Sequence, residues 1–146
     1  MSNYSKGVIS IPEVTGNIVI TVTTEGQAVN LFDSATASYN ARIKGTGAVT
    51  TGVDGIVVTA PIDVRSLTTL TVSGITEVHN SGLNYYAAMC AYSDPAGTTI
   101  SGSVKTYATE QYTFDVSSAS YVRLSFVLSS SAISTADTAN LTIYGS

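Results

Sequence analysis

One stretch in the last third of the chain constrains the fold more than any other. Residues 120–129 read Ser-Tyr-Val-Arg-Leu-Ser-Phe-Val-Leu-Ser, so that apolar side chains recur at every second position. A period of two over this length predicts a β-strand that buries one face. The residues predicted to face the core are Val122, Leu124, Phe126 and Leu128. The opposite face carries Tyr121 and Arg123, which makes it a candidate surface for a ligand or a partner.

The rest of the sequence repeats short strand patterns separated by turn residues. Gly45 to Gly55 is a Gly/Thr-rich segment predicted to be a loop, and a Ser/Ala/Thr-rich loop is predicted over 129–139. No amphipathic helix is apparent. The predicted strands after residue 29 cover 30–33, 39–44, 56–60, 68–73, 85–93, 98–105, 111–116, 120–129 and 140–144. This pattern predicts an all-β fold, an antiparallel β-sandwich that is jelly-roll-like.

Residues 1–28 are predicted to form a separate N-terminal β-hairpin or stem with a linker, and residues 29–146 the sandwich module. The apolar runs Val8–Ile11 and Ile18–Val22 flank a polar segment that contains Thr-Gly-Asn, which is a hairpin pattern. An isolated two-stranded hairpin is only marginally stable. It must therefore dock on the module, continue from a preceding domain, or pair with copies of itself in an oligomer.

Charge and hydropathy exclude two classes of partner. The 146-residue chain has a net charge of −4, and its six Lys and Arg residues are scattered rather than clustered. Binding to nucleic acid needs clustered cations, so it is not expected. No apolar run is long enough to span a membrane, and the amino-terminal residues lack the apolar core of a signal peptide. We expect no membrane insertion and, if the protein acts outside a cell, release by lysis.

Residue types that carry catalysis or bind metals are sparse. The single histidine, His79, lies in a polar segment without a marked nucleophile, and no pair of carboxylates is marked for glycosidase chemistry. The single cysteine, Cys90, lies in an apolar strand and is predicted to be a buried, inert thiol. We therefore predict a non-enzymatic protein without a cofactor. Calcium remains an open alternative, with Asp33, Asp94 and Asp137 as conceivable ligands.

Tyrosine, amide and arginine side chains form the remaining candidate site. Tyrosine rings stack on the C–H faces of sugars, and amide, guanidinium and phenol groups hydrogen-bond to sugar hydroxyls. The candidate ligand-binding residues are His79, Asn84, Tyr86, Tyr92, Tyr121 and Arg123. Two structural alternatives stay open: the tyrosines line the sandwich edges, and Arg123 pairs with a carboxylate or with strand-end carbonyls.

Several segments together resemble a known family. The segment Gly7–Val22 is similar to the connecting segment of tail and baseplate proteins of phages and prophages of Gram-positive bacteria. Asn30–Asp33 resembles the opening of the β-sandwich module that follows there, and Ala91–Asp94 resembles its middle. Tyr121–Phe126 and Asn140–Ile143 resemble its close. These are framework motifs, and they carry no catalytic residue onto this chain.

The resemblance implies a jelly-roll module on a virion appendage, often in homotrimers, that contacts host-surface polysaccharide and other virion subunits. The function expected from it is that of a non-enzymatic receptor-binding module. One alternative is a purely structural virion protein, such as a fibre, decoration or spacer. Another is an ancillary carbohydrate-binding module. The run Ala87-Ala-Met-Cys90 departs from the polar neighbours usual in the family's middle motif, which favours burial of that face against another subunit.

Overall fold

The chain folds into antiparallel strands. A computed structural model describes residues 3–5, 8–10, 28–75, 87–97, 100–106 and 111–146. The strands are β1 (Asn3–Ser5), β2 (Val8–Ser10), β3 (Ser38–Tyr39), β4 (Ala41–Ile43), β5 (Val49–Thr51), β6 (Ile56–Val58), β7 (Ile62–Asp63), β8 (Thr69–Ser73), β9 (Ala87–Tyr92), β10 (Ile100–Thr106), β11 (Gln111–Asp115), β12 (Tyr121–Val127) and β13 (Thr142–Gly145). The described helical structure is one 3₁₀ turn, Thr135–Thr138, and no helix in the described ranges is long and apolar enough to cross a membrane.

Two sheets build the sandwich. The larger has the order β10-β9-β12-β6-β3, with β7 also paired to β12, and the smaller has the order β11-β8-β13. The chain passes from one sheet to the other between β7 and β8, β8 and β9, β10 and β11, β11 and β12, and β12 and β13. The predicted all-β fold, an antiparallel β-sandwich, is confirmed, and its jelly-roll-like topology stays a prediction.

The core lies between the two sheets and includes the face of β12 predicted to be buried. Val122, Leu124 and Phe126 have no exposed surface, and Leu128 is 6% exposed. They belong to one hydrophobic cluster with residues of the small sheet. Those facing residues are Leu70, Val72, Phe114 and Ile143. Burial of a side chain of this size stabilises a fold by about 1.5–3 kcal/mol, so this layer is the main source of stability.

Strands β4 and β5 form a hairpin, and β5 lies where the sequence predicted a loop. Val49–Thr51 pairs with Ala41–Ile43, so the predicted loop over 45–55 is corrected. The turn into it is made by Asn40, whose φ of 51° is tolerated by asparagine better than by most residues. The Asn40 side chain also donates to the Ile133 carbonyl at 3.0 Å and accepts from the Ile133 N–H at 2.8 Å.

Two short turns are stabilised by aspartate side chains. Asp33 caps the first, because its Oδ1 accepts the N–H of Ala35 at 2.9 Å. The predicted loop over 129–139 contains the 3₁₀ turn, stabilised by Asp137, whose Oδ2 accepts the N–H of Ser134 at 2.8 Å. Short turns of this kind are set by one or two side-chain bonds and have no periodicity for sequence reasoning to detect.

The N-terminal strands form a small hairpin. Strand β1 pairs with β2 in the register Asn3↔Ser10, so Val8–Ser10 pairs with the strand that precedes it in the chain. The sequence had paired Val8–Ile11 forwards, with residues 18–22, and that second run lies outside the described residues. The division of the chain at residue 28 therefore stays a prediction.

Candidate functional site

Three of the six candidate ligand residues lie on one side of the large sheet. Strand register pairs Tyr121 with Tyr92 and Arg123 with Cys90, and paired residues of adjacent strands project to the same face. This is the face turned away from the main core. His79, Asn84 and Tyr86 lie outside the described residues, so their part in a site stays a prediction.

Tyr92 is a buried framework residue. Its side chain has no exposed surface, and its hydroxyl donates to the Gly47 carbonyl at 2.6 Å. Gly47 lies in the turn between β4 and β5, so this hydrogen bond ties the hairpin to the sheet. Burial raises the pKa of the Tyr92 phenol well above its usual value. A ring in this position is not available to stack on a sugar.

Arg123 is half-buried beside Tyr92. Its guanidinium carbon lies 5.9 Å from the centroid of the Tyr92 ring, a cation–π distance. A Cβ placed on Gly97 would lie 3.2 Å from Arg123 Nε, so the Asp94–Gly97 turn packs closely on this side chain. The buried Nε has no hydrogen-bond partner among the described residues. The arginine therefore fills the space between a buried ring and a turn, which favours a structural role.

The other residues of this face are also covered. Cys90 is 1% exposed, which confirms the predicted buried thiol, and Ser125 has no exposed surface. Ile56, Ala88 and Val127 form a second hydrophobic cluster against Val53, which follows β5. The outer face of the large sheet is therefore a second packed layer, covered in part by the β4–β5 hairpin within the same chain.

Tyr121 is the exception on this face, because it lies within an exposed polar cluster. Its register partner is Asp63 on β7. Arg65 donates from Nε to Asp63 Oδ1 at 3.0 Å and from Nη2 to Asp63 Oδ2 at 2.6 Å, and its guanidinium carbon lies 5.2 Å from the centroid of the Tyr121 ring. The hydrogen bonds from Arg65 lower the pKa of Asp63, so its carboxylate is ionised at neutral pH.

A groove of about 300 Å³ adjoins this cluster. Leu31, Pro61 and Ile62 supply an apolar lining, and Asp33 and Asp63 stand at the same groove. Thr36, Thr59 and Ala60 complete the lining. Apolar walls with a few polar groups are the usual composition of a small-molecule site.

A β-bulge creates this groove. Strand β12 pairs Ser125 with Val58 but Val122 with Ile62, so β6 and β7 together hold one residue more than the partner strand spans. The side chain of Thr59 bridges the gap, since its Oγ1 accepts the N–H of Leu124 at 3.0 Å, and Pro61 has no N–H to leave unpaired. Bulges re-aim side chains and are frequent next to binding sites.

The conceivable calcium ligands have other bonds. Asp33 accepts from Ala35 N–H and from Thr36 Oγ1, the latter at 3.0 Å. Asp94 accepts the N–H of Ala96 at 3.0 Å, and Asp137 holds the 3₁₀ turn. No group of three or more His, Cys, Asp or Glu residues is found in the part of the chain that is described. Calcium therefore gains no support from this geometry.

Sequence reasoning missed the groove, and the candidate ligand residue Tyr121 is connected to it only as the register partner of Asp63. Its residues come from 31–36 and 59–63, and most are ordinary turn or strand residues in sequence. The one available signal was Pro61 directly after an apolar strand run, which indicates an interrupted edge.

Comparisons with protein-family models, with curated proteins and with solved structures found nothing that matches this chain. A function for the chain must therefore be argued from its own residues.

Proposed function

We propose that the protein is a non-enzymatic module that binds a saccharide in the groove between Asp33 and Asp63. The observation that carries this proposal is the combination of an apolar lining with two carboxylates and the neighbouring Arg65–Tyr121 pair. The C–H face of a pyranose would pack on Leu31 and Pro61. Its hydroxyls would donate to the carboxylates, and Tyr121 would contact a further sugar unit.

At the groove, the state of Asp63 favours a role in binding over a role as a general acid, because the hydrogen bonds from Arg65 lower its pKa. A general acid in glycoside hydrolysis needs a raised pKa. An ionised carboxylate is instead an acceptor for sugar hydroxyls.

The biological setting that we propose is a phage-type tail or baseplate appendage in the virion. Its support is the sequence resemblance of the segments at 7–22, 30–33, 91–94, 121–126 and 140–143. In that setting the ligand is a host-surface polysaccharide, and a shallow groove of this size binds each unit weakly. An affinity near 1 mM corresponds to only about 4 kcal/mol, so several copies acting together would supply the useful strength.

A groove-filling variant tests the proposal. Ala60→Phe places a ring in the groove, and we expect it to weaken saccharide binding at least tenfold. Binding is measured by saturation-transfer NMR against a panel of soluble mono- and disaccharides at millimolar concentration. Ala132→Phe is the matched control, because Ala132 is exposed in the 129–134 loop at the opposite end of β12.

Two outcomes would contradict the saccharide proposal. One is a wild-type protein that binds no member of the panel, and the other is an Ala60→Phe variant that binds as well as Ala132→Phe. Either result would favour the purely structural alternative, a spacer in the virion. The burial of Tyr92 and Arg123 is compatible with that role.

A further inference from the structure

The outer face of the small sheet carries an array of hydroxyl groups. Leu70 and Val72 point inward from the central strand β8 and have no exposed surface, so the residues between them point outward. By the registers of β8 with β11 and β13, the outward residues that carry a hydroxyl group are Thr69, Thr71, Ser73, Thr113, Thr142 and Tyr144. All six are half-buried or exposed. Three paired strands hold them in rows about 4.8 Å apart.

Hydrogen bonds within the face hold its hydroxyls in place. Thr71 Oγ1 lies 3.2 Å from Thr113 Oγ1 across the β8–β11 pair. Thr69 Oγ1 lies 2.8 Å from Ser146 Oγ on the other side of β8. Threonine has a stiff χ1 angle, so these groups lose little further freedom when a ligand binds.

The face is almost uncharged. Asp115 lies at one corner, and its Oδ1 already accepts the N–H and the hydroxyl of Ser117 at 2.9 and 2.6 Å. None of the described residues that point outward from this sheet is Lys or Arg. Exposed edge strands usually carry charges that block association, and apart from Asp115 at the end of β11 the described outward residues of β11 and β13 present hydroxyls.

Tyr144 adds an aromatic ring at the margin of the hydroxyl rows. It is 38% exposed, and within the described ranges the large apolar side chains left exposed are Tyr144 and Val29. Its register partner across the sheet is Thr71. The ring is therefore next to the hydroxyl pair of Thr71 and Thr113.

We propose that this face is a second contact surface, which takes the flat side of a neutral, β-linked polysaccharide. A ribbon-like glycan presents rows of hydroxyls and C–H faces, which match the threonine hydroxyls and the Tyr144 ring. The absence of cations disfavours an anionic polymer. A stable protein interface would need a more apolar centre than one tyrosine supplies. The groove proposed above is lined by residues 31–36 and 59–63, none of which lies on this face, so the two sites are separate.

Adsorption to insoluble polysaccharide tests this face directly. Microcrystalline cellulose and α-chitin are the probes, and the protein left in solution is measured after the particles are removed. We expect the wild type to adsorb, and Thr71→Lys and Tyr144→Ala each to raise the apparent Kd at least tenfold. Thr51→Lys is the matched control, since Thr51 is an exposed strand residue of β5, and it should adsorb like the wild type. Because the proposed contacts involve hydroxyl groups and one ring rather than charges, adsorption should persist in 1 M NaCl.

The groove variant separates this proposal from the first one. Ala60→Phe should adsorb to the particles like the wild type, while Thr71→Lys should still bind soluble sugars. The proposal is overturned if the wild type adsorbs to neither material, or if both face variants adsorb as Thr51→Lys does. It is also overturned if Ala60→Phe alone abolishes adsorption. Thermal unfolding of Tyr144→Ala is the control for folding. Because Tyr144 is exposed, we expect the variant's unfolding temperature to be unchanged, so that a loss of adsorption reports the lost ring and not a loss of structure.

Discussion

At the scale of single residues, two of the six predicted ligand-binding side chains, Tyr92 and Arg123, are packed against other parts of the protein, which favours a structural role for them. Arg123 lies on the predicted outward face of its strand, and the alternation in sequence was sufficient to place it there. No face was predicted for Tyr92, which the strand register places on the same side. Their burial was not predictable, because the covering hairpin at 41–51 is distant in sequence and half of it reads as a loop. A polar side chain on an outward face is therefore an incomplete signal for a site.

We expect Arg123→Ala to lower the free energy of unfolding by about 1–2 kcal/mol, from the lost cation–π contact and the lost packing of the arginine stem. Arg123→Met should recover most of this loss, because it restores the apolar contact with Tyr92 without burying Nε. Urea denaturation measures both, with saccharide binding followed in parallel. A variant with unchanged stability and abolished binding would instead assign Arg123 to the ligand site.

Tyr92 predicts a specific dependence of stability on pH. Its pKa is raised in the folded protein by burial, whereas in the unfolded chain it titrates near 10. Above about pH 10 the unfolded state loses this proton first, so stability falls as pH rises, by up to about 1.4 kcal/mol per pH unit. Tyr92→Phe removes this component of the slope. Urea denaturation of both proteins from pH 8 to 11 gives the comparison, and equal slopes would contradict the prediction.

At the scale of elements, strand β12 shows both the reach and the limit of periodicity. Its buried face was predicted residue by residue, because alternate side chains of a strand point to opposite faces and only one of the two sets is apolar throughout. The bulge opposite it was not predicted. A single extra residue between Val58 and Ile62 leaves no mark in the pattern of β12 itself, and it is the bulge that shapes the groove.

We expect the hydroxyl of Thr59 to be essential to this bulge. Thr59→Val removes the acceptor for the buried N–H of Leu124, and an unsatisfied buried donor costs about 1–3 kcal/mol. Thr59→Ser keeps the hydroxyl and should retain most of the stability. Chemical denaturation measures the difference, and hydrogen exchange at the Leu124 amide should accelerate in the valine variant alone. Equal stability of the two variants would show that the hydrogen bond is dispensable.

At the scale of the whole molecule, the sequence was sufficient for the fold class and insufficient for the site. Alternating strands with turns between them can bury their apolar faces only in a layered β-structure, which is why the sandwich was predictable. The groove depends on which strands become neighbours. Asp33 and Asp63 come together because β3 pairs with β6 and β7 lies beyond the end of that pairing. Sequence reasoning left strand order open, so it could not bring these two carboxylates together.

The oligomeric state of the protein can be tested by removing residues 1–28. Among the residues whose burial the structure describes, the core cluster lies between Phe32 and Ile143. Because the sequence predicts a separate stem over residues 1–28, we expect a chain that lacks them to keep its fold and its affinity for soluble sugars. The hairpin β1–β2 has only three residues in each strand, and such a hairpin gains stability by pairing with copies of itself.

We therefore expect the full chain to sediment as a trimer at micromolar concentration and the shortened chain to sediment as a monomer. Loss of the trimer should weaken binding to a polymeric saccharide by a factor of about 10²–10⁴, because simultaneous contacts are lost, while binding of a monosaccharide stays unchanged. Analytical ultracentrifugation and the two binding assays distinguish the possibilities. A monomeric full chain would remove the assembly role of residues 1–28, and a trimer that survives their removal would place the subunit contact on the sandwich itself.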